Sequence, residues 1–255
     1  MPPIALTIAG SDPSGGVGIQ ADLKTFHQLG VYGEAVITLI TVQNTVRAGC
    51  VEVLSAELVL AQIEAVVEDI PPGAAKTGAL GSAEVVTAIA KAAERFDFPL
   101  VVDPVMTGKH GLPLGPQFDD ALLARAALVT PNVPEAEALA GMKIRALDDV
   151  RRAAEKIHAR GARAVLIKGG HLQAEPTDVF YDGASFREFP APRIATVHTH
   201  GTGCTYSAAI TAGLAAGLPL VESIERAKRF IHEAIRTSPG LGHGCGPVNH
   251  HARLA

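Results

Sequence analysis

A glycine loop followed by a cysteine stands near the end of the chain, where residues 198–205 read His198-Thr199-His200-Gly201-Thr202-Gly203-Cys204-Thr205. The run before the loop, residues 192–197, ends in β-forming residues. The run after it, from Cys204 to about Ala216, is rich in small helix-forming residues. The stretch therefore predicts a strand, a tight turn and a helix in succession, which is the repeating unit of α/β folds.

The same loop has the features of an anion-binding site. Glycines let the backbone direct its N–H groups toward one point, and the start of a helix adds the positive end of a dipole. We therefore predict that Gly201, Thr202 and Gly203 form an anion hole for a phosphate or for charge that develops in phosphoryl transfer. Cys204 lies at its rim, where we expect the thiol pKa to be lowered. The simpler interpretation is a structural turn beside a buried cysteine.

Short apolar runs alternate with amphipathic runs along the whole chain. The predicted strands are Ile4–Ala9, Ala35–Val42, Leu100–Val102, Ala127–Thr130 and Ala164–Ile167. The predicted helices are Gly18–Leu29, Ala56–Ile70, Ala83–Phe96, Pro134–Gly141, Asp148–Arg160, about Cys204–Ala216 and Leu220–Thr237. The runs on either side of Asp182-Gly183 predict an edge hairpin, Val179–Tyr181 with Phe186–Phe189. The pattern predicts a three-layer α/β/α fold with a central, mainly parallel sheet, in one domain over residues 1–255.

Composition excludes several classes of function. A net charge of −4 and the lack of a basic run argue against a nucleic-acid partner. No apolar run is long enough to span a membrane. Three widely spaced cysteines indicate reduced thiols, which favours a cytoplasmic location.

Each predicted strand ends in polar or flexible residues. Because the carboxyl ends of parallel strands meet at one rim of a sheet, where ligands bind, we expect these groups to share one site. They are Gly10-Ser11-Asp12, Gln43-Asn44, Asp103-Pro104, Pro131-Asn132 and Lys168-Gly169-Gly170-His171.

Individual residues at this rim suggest roles in phosphoryl transfer. Lys168 is a candidate phosphate clamp, the alternative being an ordinary surface lysine. Asp103 and Glu135 could hold Mg²⁺, directly or through water, although Glu135 could also serve only the dipole of its helix. Asp12 and Gln43 could hydrogen-bond a polar heterocycle, and turn capping is the alternative, stronger for Asp12.

Neither of two common nucleotide-binding motifs is complete in this sequence. Residues 16–21 match the G-x-G-x-x-A dinucleotide pattern, but no acidic residue follows about 20 positions later to hold a ribose. The chain contains no P-loop motif. A nucleotide site in this protein is therefore predicted to be of another kind.

Ten motifs together resemble the hydroxymethylpyrimidine/phosphomethylpyrimidine kinases of thiamine biosynthesis, in the ribokinase-like superfamily. They occur in the family's order and cover nearly the whole chain. They are residues 9–16 (AGSDPSGG), 18–22 (GIQAD), 41–45 (TVQNT), 76–78 (KTG), 103–106 (DPVM), 130–132 (TPN), 134–137 (PEAE), 168–171 (KGGH), 200–205 (HGTGCT) and 246–250 (GPVNH).

The resemblance implies a ribokinase-like fold and MgATP-dependent phosphorylation of 4-amino-5-hydroxymethyl-2-methylpyrimidine, first to the monophosphate and then to the diphosphate. A homodimer is also implied, as is common in the family. By position, Gln43 resembles the pyrimidine-binding glutamine, with Asp12 and Gly10 in the same pocket. Further site residues implied by position are Cys204 as catalytic base, Lys168 at the phosphates, Gly201, Thr202 and Gly203 around ATP, and Asp103, Asn132 and Glu135 at the nucleotide and magnesium.

Some positions depart from the family pattern and leave alternatives open. Ala79 stands where a bulkier apolar residue is expected, and residues 107–110 (TGKH) are unusual, so these positions bear on pocket size and substrate preference. The nearest alternative is a pyridoxine or pyridoxal kinase of the same fold. More remote alternatives are a thiol redox enzyme that uses Cys204 and a dinucleotide-dependent oxidoreductase.

Overall fold

The computed structural model describes residues 1–108, 111–116, 119–171 and 176–253. Its strands form a single sheet whose order is β3-β2-β1-β4-β5-β6-β7-β8-β9. The strands are β1 (Ile4–Ser11), β2 (Tyr32–Gln43), β3 (Ala48–Val53), β4 (Ala74–Thr77), β5 (Leu100–Val102), β6 (Leu128–Val129), β7 (Val165–Ile167), β8 (Asp178–Tyr181) and β9 (Phe186–Phe189). Strands β2, β1, β4, β5, β6 and β7 are parallel, and the strands at both edges are antiparallel.

Helices cover both faces of this sheet. One face packs against α2 to α6, and the other packs against α1, α7 and α8, so that an apolar core fills each interface. The predicted three-layer architecture and the edge hairpin are confirmed. The helices are α1 (Gly18–Gln28), α2 (Ala56–Asp69), α3 (Ala83–Ala92), α4 (Asp120–Leu123), α5 (Val133–Ala140), α6 (Leu147–His158), α7 (Thr202–Ala215) and α8 (Leu220–Arg236).

All five predicted strands and all seven predicted helices are present, with ends that differ by a few residues. Sequence reasoning missed β3, α4 and β4, the last of which lies between β1 and β5. The four residues of β4, Ala-Ala-Lys-Thr, are too few and too weakly β-forming to give a pattern. The prediction of a strand within residues 192–197 was wrong, because this segment is irregular. The nearest strand-like pairing is the isolated bridge of His200 to Pro247.

The strand order places a topological switch point between β1 and β4. From β1 the chain first adds β2 on one side, and later adds β4 on the other side. Crossovers diverge at such a point, so a crevice opens at the carboxyl ends of β1 and β4. No helix within the described ranges is long and apolar enough to cross a bilayer.

A buried carboxyl group on β2, that of Glu34, makes no hydrogen bond within the described residues. Burial first, and then the negative charge of Asp69, raise its pKa to about 7. The folded protein therefore holds this proton more tightly than the unfolded chain, so the free energy of unfolding falls as pH rises from about 4.5 to about 7. We expect Glu34→Gln to remove that loss and to gain roughly 1–2 kcal/mol at pH 8, allowing for solvent screening.

Urea unfolding of wild type and Glu34→Gln at pH 5 and pH 8 measures this effect. The matched control is Glu52→Gln on β3, where the side chain is exposed and the pH dependence should remain that of the wild type. A Glu34→Gln protein that loses as much stability between the two pH values as the wild type does would show that this carboxyl is not responsible.

Candidate active site

The polar strand ends converge on one cavity of about 550 Å³ at the carboxyl rim of the sheet. The structure thus brings them together, as the parallel order of the strands requires. The predicted site residues that line the cavity are Gly10, Asp12, Gln43, Asp103, Asn132, Glu135, Lys168, Gly201, Thr202, Gly203 and Cys204.

The glycine loop at the start of α7 has the geometry expected of an anion hole. Gly201 caps the helix in a left-handed conformation, with φ of 86°. A Cβ atom there would clash with the carbonyl oxygen of Gly16, so this close approach of two loops requires glycine. Gly201 also brings no side chain to cap the helix, whose first N–H groups have no acceptor within the helix. The cavity therefore meets the positive end of α7.

A cation lies directly beside this helix start. The Nζ atom of Lys168 is 3.3 Å from the position that a Cβ of Gly203 would occupy, and 2.9 Å from Oδ1 of Asp103. Burial lowers the pKa of Lys168, but the charges of Asp103 and Glu135 outweigh that effect, and the pKa is raised. Lys168 is therefore an ammonium held against the anion hole and not an ordinary surface lysine.

Asp103 is a buried carboxylate held by three side chains. It accepts hydrogen bonds from Lys168, from Thr130 Oγ1 at 3.1 Å and from Ser207 Oγ at 3.2 Å. Burial raises its pKa, but Lys168 and then Lys76 more than reverse the effect, so the pKa is lowered. Asp103 is therefore ionised and orients Lys168.

Asn132 and Glu135 form a reciprocal helix cap at the start of α5. The Glu135 backbone N–H donates to Asn132 Oδ1 at 2.9 Å, and the Asn132 backbone N–H donates to Glu135 Oε2 at 2.8 Å. Burial raises the pKa of Glu135 to about 7, Lys168 opposes the rise and Asp103 adds to it. The capping alternative thus describes these contacts, although both residues also face the cavity.

The residues of the cavity fit a metal ion held through water better than one held directly. Within the described part of the chain, no three His, Cys, Asp or Glu side chains are grouped so as to ligate a metal. Asp103 and Glu135 do interact electrostatically: burial is the main cause of the raised pKa of Glu135, and the negative charge of Asp103, which a cation would offset, adds to it. Mg²⁺ keeps several waters and commonly uses one or two carboxylates together with substrate phosphates, which this arrangement allows.

The expectation of a lowered thiol pKa at Cys204 was wrong. Burial, followed by the negative charge of Asp22, raises the pKa to about 12. Lys76 and the Gly18 N–H lower it, but they do not compensate. The effect of the helix start on the thiol is outweighed by loss of solvation and by the nearby Asp22 carboxylate. Cys204 is therefore a neutral thiol near pH 7 in this state of the site.

Asp12 lines the cavity, but its carboxylate serves the loop that follows β1. It accepts hydrogen bonds from Ser14, including its hydroxyl at 2.8 Å, and from the backbone N–H groups of Gly16 and Val17. Burial raises its pKa, but His200 and these donors lower it to about 2. The turn-capping alternative is therefore the better account of Asp12. Its carboxylate also takes N–H groups that a dinucleotide pyrophosphate would need at residues 16–21.

Gln43 and Gly10 are placed as a substrate pocket requires. Gln43 is half-buried at the end of β2, and its amide makes no hydrogen bond within the described residues, so it is available to a ligand. Gly10 presents only backbone to the cavity, and a Cβ there would lie 2.5 Å from Leu39 Cδ1. Of the unusual loop at residues 107–110, Lys109 and His110 lie outside the described residues.

Sequence reasoning missed charged pairs next to the site. Lys228 and Asp178 form an ion pair of 2.7 Å in the lining of the cavity. Lys76 and Asp22 form a fully buried ion pair, also of 2.7 Å, below Cys204. Both residues of the second pair stand in motifs that resemble the family, residues 18–22 and 76–78, but the missed strand β4 concealed that they meet.

Comparison with known proteins identifies the family. Residues 12–249 match the family described as phosphomethylpyrimidine kinase. The chain belongs to this family. It is 45% identical over 256 residues to the hydroxymethylpyrimidine/phosphomethylpyrimidine kinase of Bacillus subtilis, covering 97% of this chain and 94% of that protein.

Two solved structures place this phosphomethylpyrimidine kinase family member among ribokinase-like kinases, which confirms the predicted fold class. Pyridoxal kinase of Bacillus subtilis, solved as an ADP complex, superposes with a TM-score of 0.89 at 40% identity, covering 98% of this chain and 97% of that one. Phosphomethylpyrimidine kinase of Clostridium difficile superposes with a TM-score of 0.80 at 44% identity, covering 91% and 99%. Both substrate classes named for the relatives thus occur on this fold.

Proposed function

We propose that this protein phosphorylates 4-amino-5-hydroxymethyl-2-methylpyrimidine with MgATP, first to the monophosphate and then to the diphosphate, in thiamine biosynthesis. The observation that carries the proposal is a single cavity with an available amide, that of Gln43, and an anion hole with an ammonium, that of Lys168. The names of the relatives support the same reaction and substrate.

In the first transfer, the substrate hydroxyl oxygen attacks the γ-phosphorus of ATP. A new O–P bond forms, the bond from phosphorus to the ADP oxygen breaks, and the hydroxyl proton passes to the Cys204 thiolate. The N–H groups at the start of α7 and the Lys168 ammonium stabilise the charge on the phosphoryl group as it moves. Cys204 must lose its thiol proton to solvent before each such cycle, because the thiol form predominates.

In the second transfer, the nucleophile is a phosphate oxygen that is already anionic near pH 7 and needs no base. The two steps therefore share the anion hole and Lys168 but differ in their need for Cys204. Asp103 and Glu135 would hold Mg²⁺ through water. When bound, this ion would neutralise phosphate charge.

The domain organisation, the cellular location and the oligomeric state are also proposals. Residues 1–255 form one kinase domain, since one sheet extends from β1 to β9. The cytoplasmic location and the homodimer stay predictions.

The second candidate substrate is pyridoxal or pyridoxine, which is favoured by the similarity to pyridoxal kinase and by the room that Ala79 leaves in the cavity.

Measured kcat/KM values for the hydroxymethylpyrimidine, pyridoxal and pyridoxine, each with saturating MgATP, test the choice of substrate. We expect the pyrimidine to be preferred by at least about tenfold, equivalent to about 1.4 kcal/mol of transition-state binding. A preference for either vitamin B6 compound by the same margin would overturn the proposed substrate while leaving the kinase assignment intact. Matched measurements on Ala79→Met show whether this position sets the ratio.

A further inference from the structure

An ion pair without access to solvent lies at the switch point of the sheet. Lys76, on β4, and Asp22, on α1, are both 0% exposed, and Nζ to Oδ2 is 2.7 Å. Thr7, the residue of β1 that lies opposite Lys76, donates its hydroxyl to the same oxygen at 2.6 Å. A buried pair of this kind gives little net stability compared with apolar residues, so its position calls for another explanation.

The pair lies close enough to Cys204 for both of its charges to act on the sulfur. Gly18 lines the same cavity as Cys204 and is one helical turn before Asp22 on α1. Nζ of Lys76 is 3.6 Å from the position that a Cβ of Gly78 would occupy, and Gly78 and Cys204 line the same cavity. Helix α7, which carries Cys204, packs against both α1 and β4.

Four charged groups act on the Cys204 sulfur: Asp22 from α1, Lys76 from β4, Asp103 after β5 and Lys168 after β7. Lys168 is directed at Asp103 and at the anion hole. The Lys76 ammonium has three N–H donors but only one acceptor, Asp22, within the described residues. Lys76 can therefore respond to a negative charge on the Cys204 sulfur, while Lys168 stays at the phosphate site.

We propose that Lys76 is a positioning residue for Cys204, and that its buried ammonium, held by Asp22, is the counter-ion of the Cys204 thiolate. This inference rests on the proposed role of Cys204 as the base in the first transfer. With Cys204 as a thiol, Asp22 balances Lys76 and the floor of the cavity is neutral. When the thiol proton has left to solvent, the ammonium lies between two anions and stabilises both. The thiolate then accepts the substrate hydroxyl proton and the neutral arrangement returns.

The two halves of the pair should affect the sulfur in opposite directions. Iodoacetamide reacts with the thiolate, so its rate of reaction at Cys204 at pH 8 reports the thiolate fraction. We expect Lys76→Met to slow this reaction at least about tenfold and Asp22→Asn to accelerate it at least about threefold. Mass spectrometry of the peptide that contains Cys204, in the full-length protein without nucleotide, measures both rates.

A merely structural role predicts another outcome, because loss of either partner would loosen the cavity floor and change both rates in the same direction. Rates that change together, or that do not change, overturn the proposal. Lys76→Arg keeps the charge and should stay within about threefold of the wild type. If Lys76→Met does not fold, as thermal unfolding would show, Lys76→Gln removes the charge and keeps a donor to Asp22, and the same slower rate is required of it.

This test is separate from the test of the proposed function. The labelling rates use neither ATP nor substrate, so they can establish the counter-ion even if Cys204 is not the base. In turnover, Lys76→Met should lower kcat of the first transfer at least about tenfold, with KM for ATP and the rate of the second transfer within about threefold. An equal loss in both transfers would contradict a role exerted through Cys204.

Discussion

Replacing Cys204 with alanine should slow the first phosphoryl transfer by about 10²–10⁴-fold, the range for loss of a general base, and the second by less than about tenfold. The reason is the difference between the nucleophiles, a neutral hydroxyl in the first step and an anionic phosphate oxygen in the second. Single-turnover assays started separately from the alcohol and from its monophosphate measure the two rates. The control is Cys50→Ala, which removes an exposed thiol on β3.

The pH dependence of the wild type provides a second test of the same role. Because the pKa of Cys204 is raised to about 12, the thiolate fraction increases about tenfold per pH unit across the range where the protein can be assayed. The ratio of first to second transfer should therefore rise from pH 7 to pH 9. Effects of the Glu135 carboxyl, whose pKa is about 7, act on both steps and cancel in this ratio. Equal losses of rate in both transfers for Cys204→Ala, or a rate ratio that does not change with pH, would show that Cys204 is not the base. Neither result would contradict the assignment of the protein as a kinase.

Substitution of Lys168 by methionine should lower both transfers by about 10²–10³-fold, because both develop charge on the same phosphoryl group. The ammonium is held 2.9 Å from Asp103 and beside the start of α7, so it reaches the phosphates in either step. Rapid-quench kinetics with each of the two substrates give the comparison. Lys168→Arg should retain more activity than Lys168→Met, since its charge remains.

Two control variants separate charge at the phosphates from damage to the cavity. Lys168→Met with Asp103→Asn removes the whole ion pair and avoids an uncompensated buried carboxylate. Lys228→Met breaks another partly buried pair in the lining of the same cavity, with Asp178, and should change either rate by less than about tenfold. A Lys168→Met enzyme that loses only the first transfer, or a Lys228→Met enzyme that loses as much, would contradict the clamp.

The strand ends were the most reliable prediction from the sequence. Apolar runs buried on both faces specify parallel strands, and parallel strands bring Gln43, Asp103, Asn132 and Lys168 to one rim without any knowledge of long-range contacts. The turn at the glycine loop was equally predictable from its residue types, and Gly201 does adopt a positive φ where α7 begins. Local chemistry and topology were sufficient for these parts of the site.

The failures concern properties that depend on three-dimensional surroundings. The pKa of Cys204 was predicted to be lowered but is raised. The helix start is visible in the sequence, whereas the loss of solvation at the sulfur and the nearby Asp22 charge are not. Asp12 lines the cavity, but the hydrogen bonds that its carboxylate accepts from the next loop could not be predicted from the sequence. The four-residue strand β4 has no periodicity to detect, so Lys76 could not be placed below Cys204.

The most direct test of the central claim is a time course with MgATP and the hydroxymethylpyrimidine, and a parallel one with pyridoxine, in which the products are weighed by mass spectrometry. We expect a pyrimidine monophosphate to appear first and then to be converted to the diphosphate. Formation of pyridoxine phosphate with no pyrimidine phosphate would contradict it, and would assign this cavity to a vitamin B6 substrate.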